Sequence, residues 1–274
     1  MYMSHIRPVL FTLVALYSIA TLLDNNTVVC VPVTGASAHQ NGTFNSTVDD
    51  DTFHNFTNIS PETIKGLKDS QDLITEGDIF VQSDRNARDR IWPGVGGHVT
   101  LPYVITPELA PKTREILSAM KMISDKCCVT FHEREDEDHY INFSAASGCA
   151  SYIGFIGGKQ EVAVAPHCTV GNICHELLHT LGFYHEHSRM DRDSHVKIEF
   201  QNIVKGEEKN FKKVDANTLD LPYDLDSITH YGSLFFSSNG QPTLVPKNSV
   251  QDLGQRSHLS ELDVQRLRKL YKCE

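Results

Sequence analysis

Hydrophobic positions divide the chain into an apolar opening, a polar stretch and a long patterned remainder. Residues 8–23 (PVLFTLVALYSIATLL) are apolar almost throughout, follow Arg7 and stop at Asp24-Asn25-Asn26, the layout of a secretory signal peptide. The run is shorter than the roughly 20 residues a bilayer span needs, so residues 1–23 read as a signal segment and no stable membrane anchor is expected. Cleavage fits after Ala20 or, less typically, within Gly35-Ala36-Ser37-Ala38. Residues 24–59 lack periodicity and carry the acidic run Asp49-Asp50-Asp51; a stretch of this kind is expected to be poorly ordered.

Patterning begins at Ser60-Pro61-Glu62, an N-cap with proline at the first helical position, followed by Ile64, Leu67 and Ile74 at near-helical spacing, which predicts a short helix. Strands are predicted over 98–105, 128–132, 140–145 and 160–166. A helix is predicted over 106–126 with Ile116, Leu117, Met120 and Ile123 on one face, and another over 169–181, ended by Gly182. The charged run 133–138 reads as a solvated hairpin tip. Residues 188–256 are mostly irregular, and a last helix over 260–272 is capped by Ser260 with Asp263 three residues on.

The formal charge of −10 over 274 residues leaves no basic face for a phosphate backbone, which excludes nucleic acid as a partner. The excess acid is uneven. The first 85 residues hold 10 acidic and 4 basic groups and the rest 25 and 21, so the two parts are different kinds of polypeptide. Asn-x-Ser/Thr acceptors begin at Asn25, Asn41, Asn45, Asn55, Asn58 and Asn142, consistent with a secreted, extracellular glycoprotein. The arginines of Arg85-Asn86-Ala87-Arg88-Asp89-Arg90 invite a processing protease, so the boundary is placed near Arg85, with a pro-segment at 24–85 and the globular domain at 86–274.

One string carries chemistry: His175-Glu176-Leu177-Leu178-His179-Thr180-Leu181-Gly182-Phe183-Tyr184-His185. On a helix His175 and His179 project from one face with Glu176 beside them, and the glycine lets the chain turn and return His185. Three nitrogens with an open fourth position describe a catalytic zinc site. At this composition, with 14 His and 17 Gly in 274 residues, the five fixed positions arise by chance about once in 10,000 such chains.

This string, its continuation Glu186-His187-Ser188-Arg189-Met190-Asp191-Arg192-Asp193, Pro222-Tyr223-Asp224 and Ser227-Ile228-Thr229-His230-Tyr231-Gly232 resemble the metzincins, and within them the astacin family of secreted zinc metalloendopeptidases. The resemblance implies an α+β fold: a mixed, mostly parallel twisted sheet with two long helices in the N-terminal half, an irregular C-terminal half ending in a helix, and a zinc cleft between. It implies one zinc ion per chain on His175, His179 and His185, Glu176 as the general base that activates a water, and Tyr231 as a swinging zinc ligand that stabilises the oxyanion. It also implies Glu186 as the acceptor of the newly cut N-terminus and a protein or peptide substrate; a monomer is expected. The substrate is expected as an added strand along an edge such as 160–166. His187, His195, His230 and His258 are expected to be ordinary histidines.

Two features depart from the family. Thr229 stands where the turn beneath the zinc carries methionine, and a cavity or unpaired hydroxyl there would cost about 1–3 kcal/mol. A zinc-binding module without catalysis is the rival reading this motivates. Gly77-Asp78 matches the end of the Phe-x-Gly-Asp motif by which astacin precursors place an aspartate on the zinc, but Thr75 replaces the phenylalanine. The family pattern implies disulfides Cys128–Cys273 and Cys149–Cys168, leaving Cys127 and Cys174 as a third pair or Cys174 as a buried thiol.

Overall fold

The computed structural model describes residues 74–81, 91–94, 97–248 and 251–273, all within a unit running from Asp50 to Glu274. The expected signal segment, most of the helix from Ser60, the boundary at Arg85 and the sequons before residue 60 lie outside them.

Seven strands form one sheet: β1 (Ile74–Thr75), β2 (Ile79–Phe80), β3 (Val99–Ile105), β4 (Val129–Glu133), β5 (Tyr140–Ala145), β6 (Ala150–Tyr152) and β7 (Lys159–Val164), in spatial order β1-β2-β6-β7-β5-β3-β4. Four of its ladders are parallel and two, β1 with β2 and β6 with β7, are antiparallel. The expected mixed, mostly parallel sheet is therefore present. Three sequence expectations change. Ile74 belongs to a strand rather than to a helix. The charged run is no hairpin tip, because β4 and β5 lie on opposite flanks of β3, both parallel to it, and residues 134–139 carry the chain across. β7 sits inside the sheet between β5 and β6, so it is not an edge open to substrate.

Helix α1 (Thr113–Ser124) follows a 3-10 turn over Pro107–Lys112. Proline lacks the N–H that an α-helix interior needs, so Pro111 keeps the α-helix from starting earlier. Its stripe is Ile116, Ala119, Met120 and Ile123, all buried, whereas Leu117 falls off it and is exposed. Helix α2 (Val170–Thr180) starts at a capping box, Thr169 with Asn172, and is buried nearly all round. Ile173, Cys174, Leu177 and Leu178 enter the main core with Ile116 of α1, Phe143 and Val162 of the sheet, and Leu267 and Tyr271 of α3 (Glu261–Tyr271).

A smaller core of Val196, Ile203, Phe211, Tyr223, Tyr231, Leu244 and Leu253 organises the C-terminal half around the short ladder of β8 (Val196–Ile198) and β9 (Leu244–Pro246). Trp92 is buried, donating its indole N–H to the Thr180 carbonyl at 3.0 Å, which ties the start of the domain to the end of α2.

Disulfides join Cys128 to Cys273 and Cys149 to Cys168. The first spans 145 residues, a loop whose closure is worth about 5 kcal/mol in the chain-entropy account. The third pairing is not formed: Cys127 and Cys174 are free thiols, and Cys174 is fully buried among apolar side chains on α2, which pushes its thiol pKa up. A buried thiol behaves as a small hydrophobe and needs no partner.

Asn142 corrects the expected glycosylation pattern. It lies on central strand β5, 5% exposed, and its Nδ2, the atom a sugar would occupy, donates to Glu161 Oε2 at 2.8 Å. Peptide mapping of the secreted protein by mass spectrometry is expected to find the Asn142 peptide unmodified.

Candidate zinc site

The site grows out of α2. Positions 175 and 179 are one helical turn apart and direct both imidazoles to the same side. The helix ends because Gly182 takes φ +109°, a conformation L side chains avoid, and the amides of Gly182 and Phe183 bond back to His179 and Leu178. That turn returns His185. The three rings meet with Nε2 atoms inward: His175 Nε2 lies 2.9 Å from His179 Nε2. Asp78 enters from the turn between β1 and β2, its Oδ2 at 3.3 Å from the Nε2 atoms of both His175 and His185 and its Oδ1 at 3.9 Å from that of His179. Ligand atoms of all four residues lie within 4.8 Å of one another, and all four are buried.

The outer nitrogens fix the rings. His175 Nδ1–H donates to the Ile228 carbonyl at 2.7 Å, His179 Nδ1–H to the Phe183 carbonyl at 2.6 Å, and His185 Nδ1–H to Glu76 Oε2 at 2.8 Å. For His175 and His179 each bond leaves a lone pair on Nε2, the tautomer a metal-ligating imidazole needs; His185, with a carboxylate on each nitrogen, reaches that form on losing a proton. Nitrogen lone pairs at 2.9 Å repel, and Asp78 Oδ1 is buried without a hydrogen bond. Three imidazoles and a carboxylate around one point are the donor set of zinc, so the residues present fit that ion.

Electrostatics agree. Burial alone would raise the Asp78 carboxyl, but the three surrounding histidines hold it well below the usual carboxylate range. Burial would lower His185, and Asp78 with Glu76 overcomes it, raising the ring to about 9. His179 is pushed down by burial and then by its two histidine neighbours.

Tyr231 is buried, packs edge-on to His185 at 4.6 Å, stacks on His187 at 3.8 Å and donates its hydroxyl to the Glu76 carbonyl. Glu176 is fully buried on α2 next to His175. Glu186 Oε1 accepts from Arg266 Nη2 at 2.7 Å, from Arg189 Nη1 at 3.2 Å and from the Asp224 amide at 2.7 Å. It lines a cavity of about 660 Å³ together with Ile91, Arg189, Thr229 and Arg266.

Thr229 is 2% exposed, and its hydroxyl is not orphaned. Ser227 Oγ gives its proton to Asp263 Oδ1 at 2.7 Å, so Thr229 is the donor in the 2.9 Å bond to Ser227 Oγ. Asp263 also accepts the Ile228 amide at 2.9 Å, and Ile228 is the residue whose carbonyl holds His175. The unpaired hydroxyl feared from sequence is absent; Thr229 does line the cavity.

The four other histidines stay outside the cluster. His187 Nε2 donates to the Asn210 carbonyl, His230 bonds the Tyr223 hydroxyl, His195 stacks on Tyr223 and His258 meets Asp226. Sequence reasoning missed Glu76 and the Ser227–Asp263 support. The only local signal for Glu76 was an acid two positions before Asp78.

Comparison with known proteins agrees with this geometry. The family model for Astacin, a peptidase family, matches residues 84–272. Low choriolytic enzyme of Oryzias latipes is 36% identical over 246 residues, covering 85% of this chain and 90% of that protein. Zinc metalloproteinase nas-14 of Caenorhabditis elegans is 39% identical over 227 residues, covering 77% of this chain and 44% of its own length. The solved structure of high choriolytic enzyme 1 from Oryzias latipes, a hatching enzyme zinc-protease, matches with a TM-score of 0.65 at 36% identity, over 70% of this chain and 99% of that one. The chain belongs to the astacin family. It is a zinc metalloendopeptidase of α+β fold, zinc is its cofactor and its substrates are those of a peptidase; among the described residues no helix is long and apolar enough to cross a membrane.

Two outcomes are expected. Zinc uptake by the metal-free full-length chain must displace the proton His185 holds below about pH 9, so apparent affinity rises with pH, by about tenfold per unit for one displaced proton, and levels above that value. Competition against a chelator corrected for its own protonation measures this. Thr229→Val removes the hydroxyl that donates to Ser227 Oγ while the amide of residue 229 still donates there, and is expected to lower stability by about 1 kcal/mol, a fall of about 2–4 °C in Tm by calorimetry.

Proposed function

We propose that this chain is the secreted zymogen of an extracellular endopeptidase, with residues 1–23 as signal, 24–85 as pro-segment and 86–274 as the monomeric protease domain. The observation that carries the latent state is Asp78, whose carboxylate completes the cluster of His175, His179 and His185 and takes the position a water needs. Two further contacts support it. Strand β2 pairs with the sheet edge at β6, Ile79 against Ser151 and Phe80 against Tyr152, where an extended substrate would add. The Glu76 carbonyl also holds the Tyr231 hydroxyl. Cleavage near Arg85 by another protease then releases the segment.

In the trimmed enzyme His175, His179 and His185 would hold the zinc, which would supply Lewis acidity to the scissile carbonyl and lower the pKa of a water to about 7. Glu176 takes a proton from that water as its oxygen bonds the carbonyl carbon, then passes the proton to the departing amine nitrogen as the C–N bond breaks. Tyr231, freed from Glu76, donates its hydroxyl to the developing oxyanion. Burial raises the Glu186 carboxyl while Arg266 and Arg189 oppose that rise, and this side chain is the acceptor for the new α-ammonium group. The substrate backbone pairs with β6 in place of β2, an arrangement tolerant of side-chain identity. A zinc-binding module without catalysis is not favoured, because Glu176 is retained beside the ligands.

Hydrolysis of a denatured protein by the form trimmed near Arg85 tests this reading. Wild type is expected to cleave, chelator to abolish cleavage, and Glu176→Ala to lower kcat by about 10²- to 10⁴-fold, the range a general base contributes. One equivalent of zinc bound without cleavage would overturn it.

A further inference from the structure

We propose that Glu76 is a second anchor of the pro-segment on the metal centre, a positioning residue that holds His185 from behind while Asp78 meets the inward side of the same ring. The inference rests on the reading of 24–85 as pro-segment and of the histidine cluster as the zinc site.

The three rings are not supported alike. His175 and His179 donate to main-chain carbonyls, those of Ile228 and Phe183, which remain after processing. His185 Nδ1 has one acceptor among the described residues, the Glu76 carboxylate at 2.8 Å, and processing removes it. Glu76 is 4% exposed. A carboxylate gives up strong hydration on burial and stays there only if an opposite charge or a strong donor replaces the water.

The backbone is shaped for this contact. Glu76 and Gly77 turn with φ +50° and +81°, and the first is uncommon for a residue with a side chain. A Cβ on Gly77 would stand 2.8 Å from the Phe236 ring, so the turn seats tightly against the domain. It places the carboxylates of residues 76 and 78 on the two nitrogens of one imidazole, Oε2 on Nδ1 and Oδ2 on Nε2. The main chain of Glu76 accepts the Tyr231 hydroxyl at the same time. One residue thereby engages both the third ligand and the tyrosine.

An anionic acceptor on Nδ1 makes the ring a more basic ligand than a carbonyl does, and such partners typically change metal affinity by about 10- to 100-fold. The coupling is reciprocal. The precursor retains zinc more tightly than the trimmed enzyme, and a loaded site holds the pro-segment more tightly than a metal-free one.

The test uses the intact zinc-loaded precursor and follows transfer of zinc to a chromogenic chelator for wild type, Glu76→Ala, Glu76→Gln and Asp78→Ala. Glu76→Ala is expected to yield zinc about 10- to 100-fold more readily, with only a small part of the loss recovered in Glu76→Gln, whose neutral amide oxygen can accept from Nδ1 but lacks the charge. Trimming near Arg85 removes residue 76, so mature enzyme from Glu76→Ala must retain zinc and cleave like wild type, which reports correct folding. Glu76→Asp keeps the charge but withdraws it by one methylene; it is the second variant should Glu76→Ala fail to mature, and it is expected to lose zinc retention in the same direction. Wild-type retention in the Glu76 variants overturns the inference. If Asp78→Ala also retains zinc like wild type, the pro-segment reading falls with it; if only the Glu76 variants do, that reading stands alone.

Discussion

Three imidazole lone pairs aimed at one point repel each other, and only a cation turns the arrangement into an attraction. Neutral rings brought to 2.9 Å between Nε2 atoms would otherwise rotate apart, so His175 and His179 are each held from the far side by a main-chain acceptor that has no freedom to follow. The Phe183 carbonyl belongs to the turn that Gly182 makes possible, and the Ile228 carbonyl to a loop pinned by Asp263. The burial of α2 on nearly every face fixes the depth of the two histidines it carries. The core behind it thus serves the chemistry by denying the ligands any other place to be.

How far this was legible in the sequence depends on the range of the interaction. The ligands, the helix that carries two of them and the glycine that ends it lie within eleven consecutive residues, and local geometry suffices to read them. The longer strands were legible because β-branched and aromatic residues cluster between turn signals. The hairpin of β1 and β2 was not, since strands of two residues have no period to detect and owe their existence to the waiting edge of β6. Leu117 was misplaced by reading a wide apolar face where the helix buries a narrow one. The support of the turn could not be read at all: Ser227 and Asp263 are 36 residues apart, and nothing near Thr229 announces that a polar side chain there has a chain of hydroxyls to join.

Thr229 illustrates why a missing motif residue need not signal lost chemistry. Methionine in this turn is an apolar floor. Here the floor is a chain of hydrogen bonds, Thr229 to Ser227 to Asp263, with every donor matched to an acceptor. A half-satisfied network would be worse than an apolar one, but a completed network fixes its members in one geometry. The turn therefore keeps its task, holding a carbonyl against His175, by different means.

Asp263 has a second employment that bears on how the molecule comes into being. It is the residue that closes the capping box of α3, and α3 is the last helix among the described residues. During synthesis the histidines of α2 emerge long before it, yet the loop that orients His175 has no clamp until α3 has formed and docked. Contacts of such separation close late in folding. A nascent or truncated chain thus carries the whole zinc-binding string without a settled place for the ion, and proteolytic competence arrives only with the finished fold.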